Sequence, residues 1–164
     1  GSQRVTVNGE NISVIIEANS TSTGLDLIGT GWRIEISARA SDGTSRALEP
    51  GGILAITAGS TIDVRGSGFD DRSQVRIYLM SRSTHLGSLM TDGSGDFTGS
   101  VVAPVDATIG PDTLQINGFT RDRLVRSVSL GVRVTSATLA KPTSVGSRIY
   151  FGYRSAVLDR KSVV

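Results

Sequence analysis

The chain contains no cysteine, so disulfides and thiolate metal centres are excluded. That absence does not fix the compartment, because oxidising surroundings permit disulfides without requiring them. His85 is the single histidine. A catalytic triad or a histidine-rich metal site would need partners that the sequence does not announce, and His85 reads as an exposed loop residue. Lysine occurs only at Lys141 and Lys161, outside the strand-rich part of the chain. An internal Lys–Asn isopeptide bond is therefore not expected. No apolar stretch approaches the ~20 residues that a membrane-spanning helix requires. No signal peptide is visible, and Gly1-Ser2 reads as a cleavage remnant. Aromatic residues are few: Trp32 is the only tryptophan, and Tyr78, Tyr150 and Tyr153 are the only tyrosines.

What remains is rich in glycine, serine and threonine, a composition suited to strands joined by tight turns. With 164 residues the chain can bury a core without a covalent staple. Charge is uneven along it. Residues 1–114 carry 8 Lys/Arg against 13 Asp/Glu, whereas residues 115–164 carry 9 against 2. A basic C-terminal third could meet a polyanion, but it is read here as a solvated strand face followed by a basic linker.

Apolar and polar residues alternate with a period of two through most of the chain, the pattern of half-buried strands. Residues 3–7 lead into Asn8-Gly9, a type I′ hairpin signal. A return strand is expected over 11–17, with Ile12, Val14 and Ile16 on one face, and a loop over 18–24. Trp32, Ile34, Ile36 and Ala38 share the inner face of a strand whose outer face is Arg33, Glu35, Ser37 and Arg39. Trp32 is thus read as packing. Pro50-Gly51-Gly52 breaks the chain, and Ile53–Thr57 is expected as a strand. Strands then recur every 10 to 13 residues, with inner faces Ile62/Val64, Val75/Ile77/Leu79, Leu114/Ile116 and Val128/Leu130/Val132/Val134. Short strands fall near 86–90 and 97–103. No helical period of useful length is present. This makes the chain all-β, a sandwich or barrel. Gly29-Thr30-Gly31-Trp32 weakly echoes Gly66-Ser67-Gly68-Phe69.

Candidate sites are sparse. Asp92-Gly93-Ser94-Gly95-Asp96 alternates carboxylates as calcium loops do, but lacks a bidentate Glu at the right distance and equally suits a hairpin turn. Gly66-Ser67-Gly68 lacks the spacing and following helix of a phosphate cradle. Asn11-Ile12-Ser13 and Asn19-Ser20-Thr21 match the glycosylation acceptor pattern, read as accidental. Arg121, Arg123 and Arg126 place charge near Phe119 without a stacking set, which argues against nucleic acid. Tyr78, on an outer face, is the exposed-aromatic candidate. No catalytic, cofactor or metal residue is assigned, and no cofactor is expected.

Residues 60–136 resemble a bacterial immunoglobulin-like domain of cell-surface proteins. Gly66-Ser67-Gly68-Phe69, Ser73 to Leu79, Leu86-Gly87, Asp92 to Phe97, Pro104, Gly110 and Thr113 to Gly118 carry the resemblance. It implies that Gly-Ser-Gly-Phe closes a strand with a bend, that the Phe ring caps the core, and that the Asp-Gly turn joins two antiparallel strands. Ile149 to Leu158 resembles the opening strand of an outer-membrane-protein-A-like domain, a peptidoglycan-binding family. The helices that carry that family's ligand-binding residues would lie beyond Val164, so no residue inherits that role.

The resemblance implies an immunoglobulin-like antiparallel sandwich at 50–138. Residues 1–49 would be an N-terminal β segment packed on it or extending it, and 139–164 a linker and the truncated start of a following domain. It further implies a noncatalytic module of the cell envelope or cell exterior that spaces, presents or adheres. Its partners would be neighbouring domains of the same polypeptide, other surface proteins or envelope polymers. A carbohydrate-binding module and an accessory domain of an extracellular enzyme are the alternatives.

Overall fold

In a computed structural model the described residues are 3–137. The expected linker and following domain start, together with Lys141, Lys161, Tyr150 and Tyr153, lie outside them. Twelve strands form two packed sheets, with one turn of 3₁₀ helix at Met80–Arg82 among the described residues.

The strands are β1 (Gln3–Val7), β2 (Glu10–Ile12), β3 (Ile15–Ala18), β4 (Gly24–Gly29), β5 (Trp32–Ala38), β6 (Leu54–Thr57), β7 (Thr61–Ser67), β8 (Gln74–Leu79), β9 (Thr84–Met90), β10 (Phe97–Val102), β11 (Gly110–Phe119) and β12 (Val125–Thr135). The first sheet runs β2-β1-β12-β11-β8-β9, and the second β10-β7-β5-β4-β3. Both are antiparallel apart from β6, which lies parallel to β12 over Val132–Thr135 where β1 has ended.

Period-two alternation decides which side chains meet. Ile34 and Ile36 of β5 and Ile62 and Val64 of β7 are buried in the second sheet. Val75 and Ile77 of β8, Leu114 and Ile116 of β11 and Val128 of β12 oppose them from the first, in one continuous core. Each such side chain contributes about 1.5–3 kcal/mol by leaving water. Val5, Leu25, Leu27 and Trp32 belong to the same core as residues from 50 onward.

Four local expectations change. The return strand over 11–17 is two strands. The chain leaves the first sheet after Ile12 and enters the second at Ile15, while Ile12, Val14 and Ile16 still pack on the core. The alternation persists, but the ladder partner switches from β1 to β4. Strand β4 has no counterpart in the sequence reading. Only Leu25, Asp26 and Leu27 alternate clearly there, too briefly between Gly24 and Gly29 to announce a strand. The Asp92–Asp96 turn joins β9 of the first sheet to β10 of the second, so it carries the chain across the sandwich and does not close a hairpin. Finally, His85 is exposed but lies within β9, paired with Tyr78, and is not in a loop.

The two echoing Gly-x-Gly-aromatic segments touch. Gly68 has φ of 81°, and a Cβ there would stand 2.1 Å from the Gly31 carbonyl oxygen. Only glycine permits both the left-handed backbone and the approach. Phe69 is buried and meets the Phe97 ring edge-on, with centroids 5.2 Å apart.

Candidate functional site

No catalytic centre assembles among the described residues. The His85 imidazole Nε2 lies 3.1 Å from the Ser88 hydroxyl, a nucleophile–base distance, but the pair is exposed and no carboxylate hydrogen-bonds to the ring. A triad needs that orienting group and a preorganised oxyanion site. Asp92 is likewise consumed locally. Its Oδ1 accepts the backbone N–H of Ser94 at 2.8 Å and of Asp96 at 3.0 Å. The hydrogen bonds from the Asp96 and Ser94 amides hold this carboxyl below the usual carboxylate range. The turn therefore caps itself, and no group of three metal-ligating side chains occurs among the described residues. The Asn19 side chain is engaged in the same way, accepting from the Thr23 amide at 2.9 Å.

The organised polar surfaces are the two outer sheet faces, and they differ in electrostatic design. On the second sheet, register sets Glu17 opposite Asp26, Asp26 opposite Glu35, and Glu35 opposite Arg65. Like charges directly opposite one another repel. Arg33 relieves this by reaching Asp26 at 2.8 Å and Glu35 at 3.3 Å. Arg65 reaches Glu35 at 2.7 Å. Arg39 grips Asp63 through two hydrogen bonds of 2.8 and 2.9 Å, and the Ser100 hydroxyl donates to the same carboxylate at 2.6 Å. Partial burial would raise the Asp63 carboxyl, but these donors outweigh it and hold it below its ordinary value. Over this ladder lie two grooves, of about 430 and about 620 Å³, which share Arg33, Glu35, Arg65 and Thr98. Every guanidinium on β5 and β7 thus has a carboxylate.

The first sheet is built otherwise. Its outward row reads His85, Tyr78, Gln115, Ser129, Arg4 across five strands. The adjacent row reads Ser88, Arg76, Asn117, Ser127, Thr6. Side-chain amides and hydroxyls link in series: Asn117 Nδ2 donates to Gln115 Oε1 at 3.0 Å, Gln115 Nε2 to Ser129 Oγ at 3.3 Å, and Ser127 Oγ to Asn117 Oδ1 at 2.6 Å. Tyr78 and His85 lie with ring centroids 5.1 Å apart. Neither row contains a carboxylate. Arg4 donates to the Asn11 amide oxygen at 3.0 Å, and Arg76 to that of Gln74 at 3.1 Å.

Of the residues singled out in the sequence, Tyr78 is half-buried on this outer face, Trp32 is buried, and Phe119 is exposed at the β11–β12 turn. Arg126 does not join Arg121 and Arg123 at the surface. It lies on the core side of β12 between the Trp32 and Phe69 rings. The amide ladder escaped sequence reading because the pairing of β11 with β12 assembles it, and the rows that extend it draw on β1, β8 and β9. The available signal was that four neighbouring outward positions of β11 and β12, Gln115, Asn117, Ser127 and Ser129, are uncharged. No family model, curated protein or solved structure matches the chain.

Proposed function

We propose that this chain is a noncatalytic module of the bacterial cell envelope or cell surface, acting as a spacer, presenter or adhesion domain through surface complementarity. The observation that carries this reading is the disposition of its polar groups. They pair along sheet ladders, as Arg33, Glu35 and Arg65 do across β5 and β7, so that the charges lining the grooves of the second sheet are already matched to one another. Such a surface orients a partner and performs no bond chemistry. The immunoglobulin-like assignment draws support from strand order. The neighbours β12-β11-β8 in one sheet and β7 beside β10 in the other correspond to the G, F, C, B and E strands of that architecture. Fold alone does not carry function.

A carbohydrate-binding module is the second reading, favoured by the Tyr78–His85 rings beside the Gln115 amide on one outer face. The test is to immobilise the full chain, expose it to purified bacterial envelope preparations, and analyse both bound and free material. Retention without release of cleaved fragments is expected. Fragment release that depends on the chain, or no retention at all, would overturn the adhesive reading.

A further inference from the structure

The two faces of the sandwich leave different things for a partner to satisfy. On the second sheet, Arg33, Arg39 and Arg65 are each neutralised by a carboxylate within 2.8 Å. An incoming anion there would have to displace an existing partner. On the first sheet, Arg4 and Arg76 rest only on neutral amide oxygens, and both are exposed. Their charges are unneutralised among the described residues. They stand in adjacent outward rows on β1 and β8, strands three spacings apart, which is about 14 Å across the sheet. Between them lies the amide and hydroxyl ladder.

Each amide of the ladder retains bonding capacity. Gln115 and Asn117 each donate one N–H and accept one hydrogen bond within it, and a side-chain amide offers two donors and two lone pairs. One donor and one acceptor per amide therefore remain unused within the ladder. Beside Gln115, Tyr78 adds a flat apolar surface with a polar tip.

We propose that this outer face, from Arg4 to Arg76, binds an acidic polysaccharide lying across the strands. Acid groups of the polymer pair with the two guanidiniums, hydroxyls of the intervening units meet the Gln115 and Asn117 amides and Ser129, and a sugar face rests on Tyr78. The proposal rests on the noncatalytic binding reading and names its ligand class. A nucleic acid would share the charge, but it would call for a larger stacking set than Tyr78 and His85 supply.

The experiment passes the full chain over immobilised acidic polysaccharides bearing uronate, sulfate or phosphate groups, with dextran and single-stranded DNA as comparisons. At least one acidic polymer is expected to be retained, and dextran and DNA are not. Arg4→Gln/Arg76→Gln should weaken retention at least tenfold and lower the salt dependence by about two charges. Asn117→Asp, which sets a carboxylate into the ladder, should also weaken it. Arg65→Gln on the opposite sheet should leave it unchanged. Circular dichroism and melting temperature of each variant establish that it is folded. Failure to retain any acidic polymer, wild-type retention by the double variant, or equal retention of DNA overturns the proposal. Release of reducing ends from a retained polymer would instead overturn the noncatalytic reading, and the variants would still decide the face.

Discussion

The guanidinium of Arg126 lies over the Trp32 ring, 4.8 Å from its centroid. It also lies over the Phe69 ring, 4.7 Å from that centroid. One Nη1–H bond to the Gly68 carbonyl, at 3.1 Å, fixes it there, and Nε is buried without a partner. Burial lowers its pKa to about 10. Trp32 and Phe69 are the aromatic ends of the two echoing glycine motifs, so Arg126 ties β12 to the ends of both.

Two substitutions separate its packing from its charge. Arg126→Ala leaves a gap between the rings and should cost about 2–4 kcal/mol in urea unfolding. Arg126→Met keeps most of the volume and removes a charge that has no buried counter-ion. It should fall within about 1.5 kcal/mol of wild type. Because the folded pKa lies below the unfolded one, the unfolded chain binds more protons as pH rises through about 10. Wild-type stability should therefore rise relative to Arg126→Met in that window. A difference that is flat with pH would count against a buried, charged Arg126.

Gly68 and Gly9 share left-handed backbone, at φ of 81° and 84°, but not surroundings. A Cβ at Gly9 meets nothing within 4 Å, whereas one at Gly68 meets the Gly31 oxygen at 2.1 Å. Gly9→Ala should cost about 1–2 kcal/mol, the backbone penalty alone. Gly68→Ala should cost clearly more and move the Trp32 fluorescence, because the Gly31 segment must shift. Equal costs would mean that the two segments do not abut.

Arg39 and Ser100 hold the Asp63 carboxyl below its ordinary value against a desolvation that would raise it. A depressed carboxyl contributes stability above its unfolded pKa and loses it as pH falls through the folded one, here below about pH 4. Removing the guanidinium with Arg39→Gln should raise the Asp63 midpoint, followed by NMR titration. An unchanged midpoint would remove Arg39 as a cause.

The ladder on the second sheet is expected to contribute little to stability. Glu35 bridges Arg33 and Arg65 at a partly exposed site, where such pairs contribute about 0–1 kcal/mol. Glu35→Gln also relieves repulsion with Asp26, directly opposite. A loss above about 1.5 kcal/mol in denaturant titration would show that this face is structural.

The buried side was legible because burial and alternation are local. Ile34/Ile36, Val75/Ile77 and Val128/Leu130 each declare an inward face within one strand. The outward side was not, because its meaning depends on which strands become neighbours. Splitting charge by chain position set Arg4 and Arg76 in an acidic region. Register puts them on a sheet face whose two outward rows hold no carboxylate. The same reasoning made Arg126 a surface charge by its proximity in sequence to Arg121 and Arg123. Its parity with Val128 and Leu130 points it inward. The switch between sheets after Ile12 hid for the opposite reason: one unbroken alternation served two ladders.

The most direct test of a module that works by surface complementarity is NMR on the isotope-labelled full chain, titrated with a solubilised envelope polymer that it retains. The account predicts shift changes confined to outward positions such as Tyr78, Gln115, Asn117 and Ser129. Amides of buried Ile34, Ile77 and Ile116 should stay unmoved, and the polymer's own signals should remain those of the intact chain. New product signals, or changes spread through the buried strands, would contradict it.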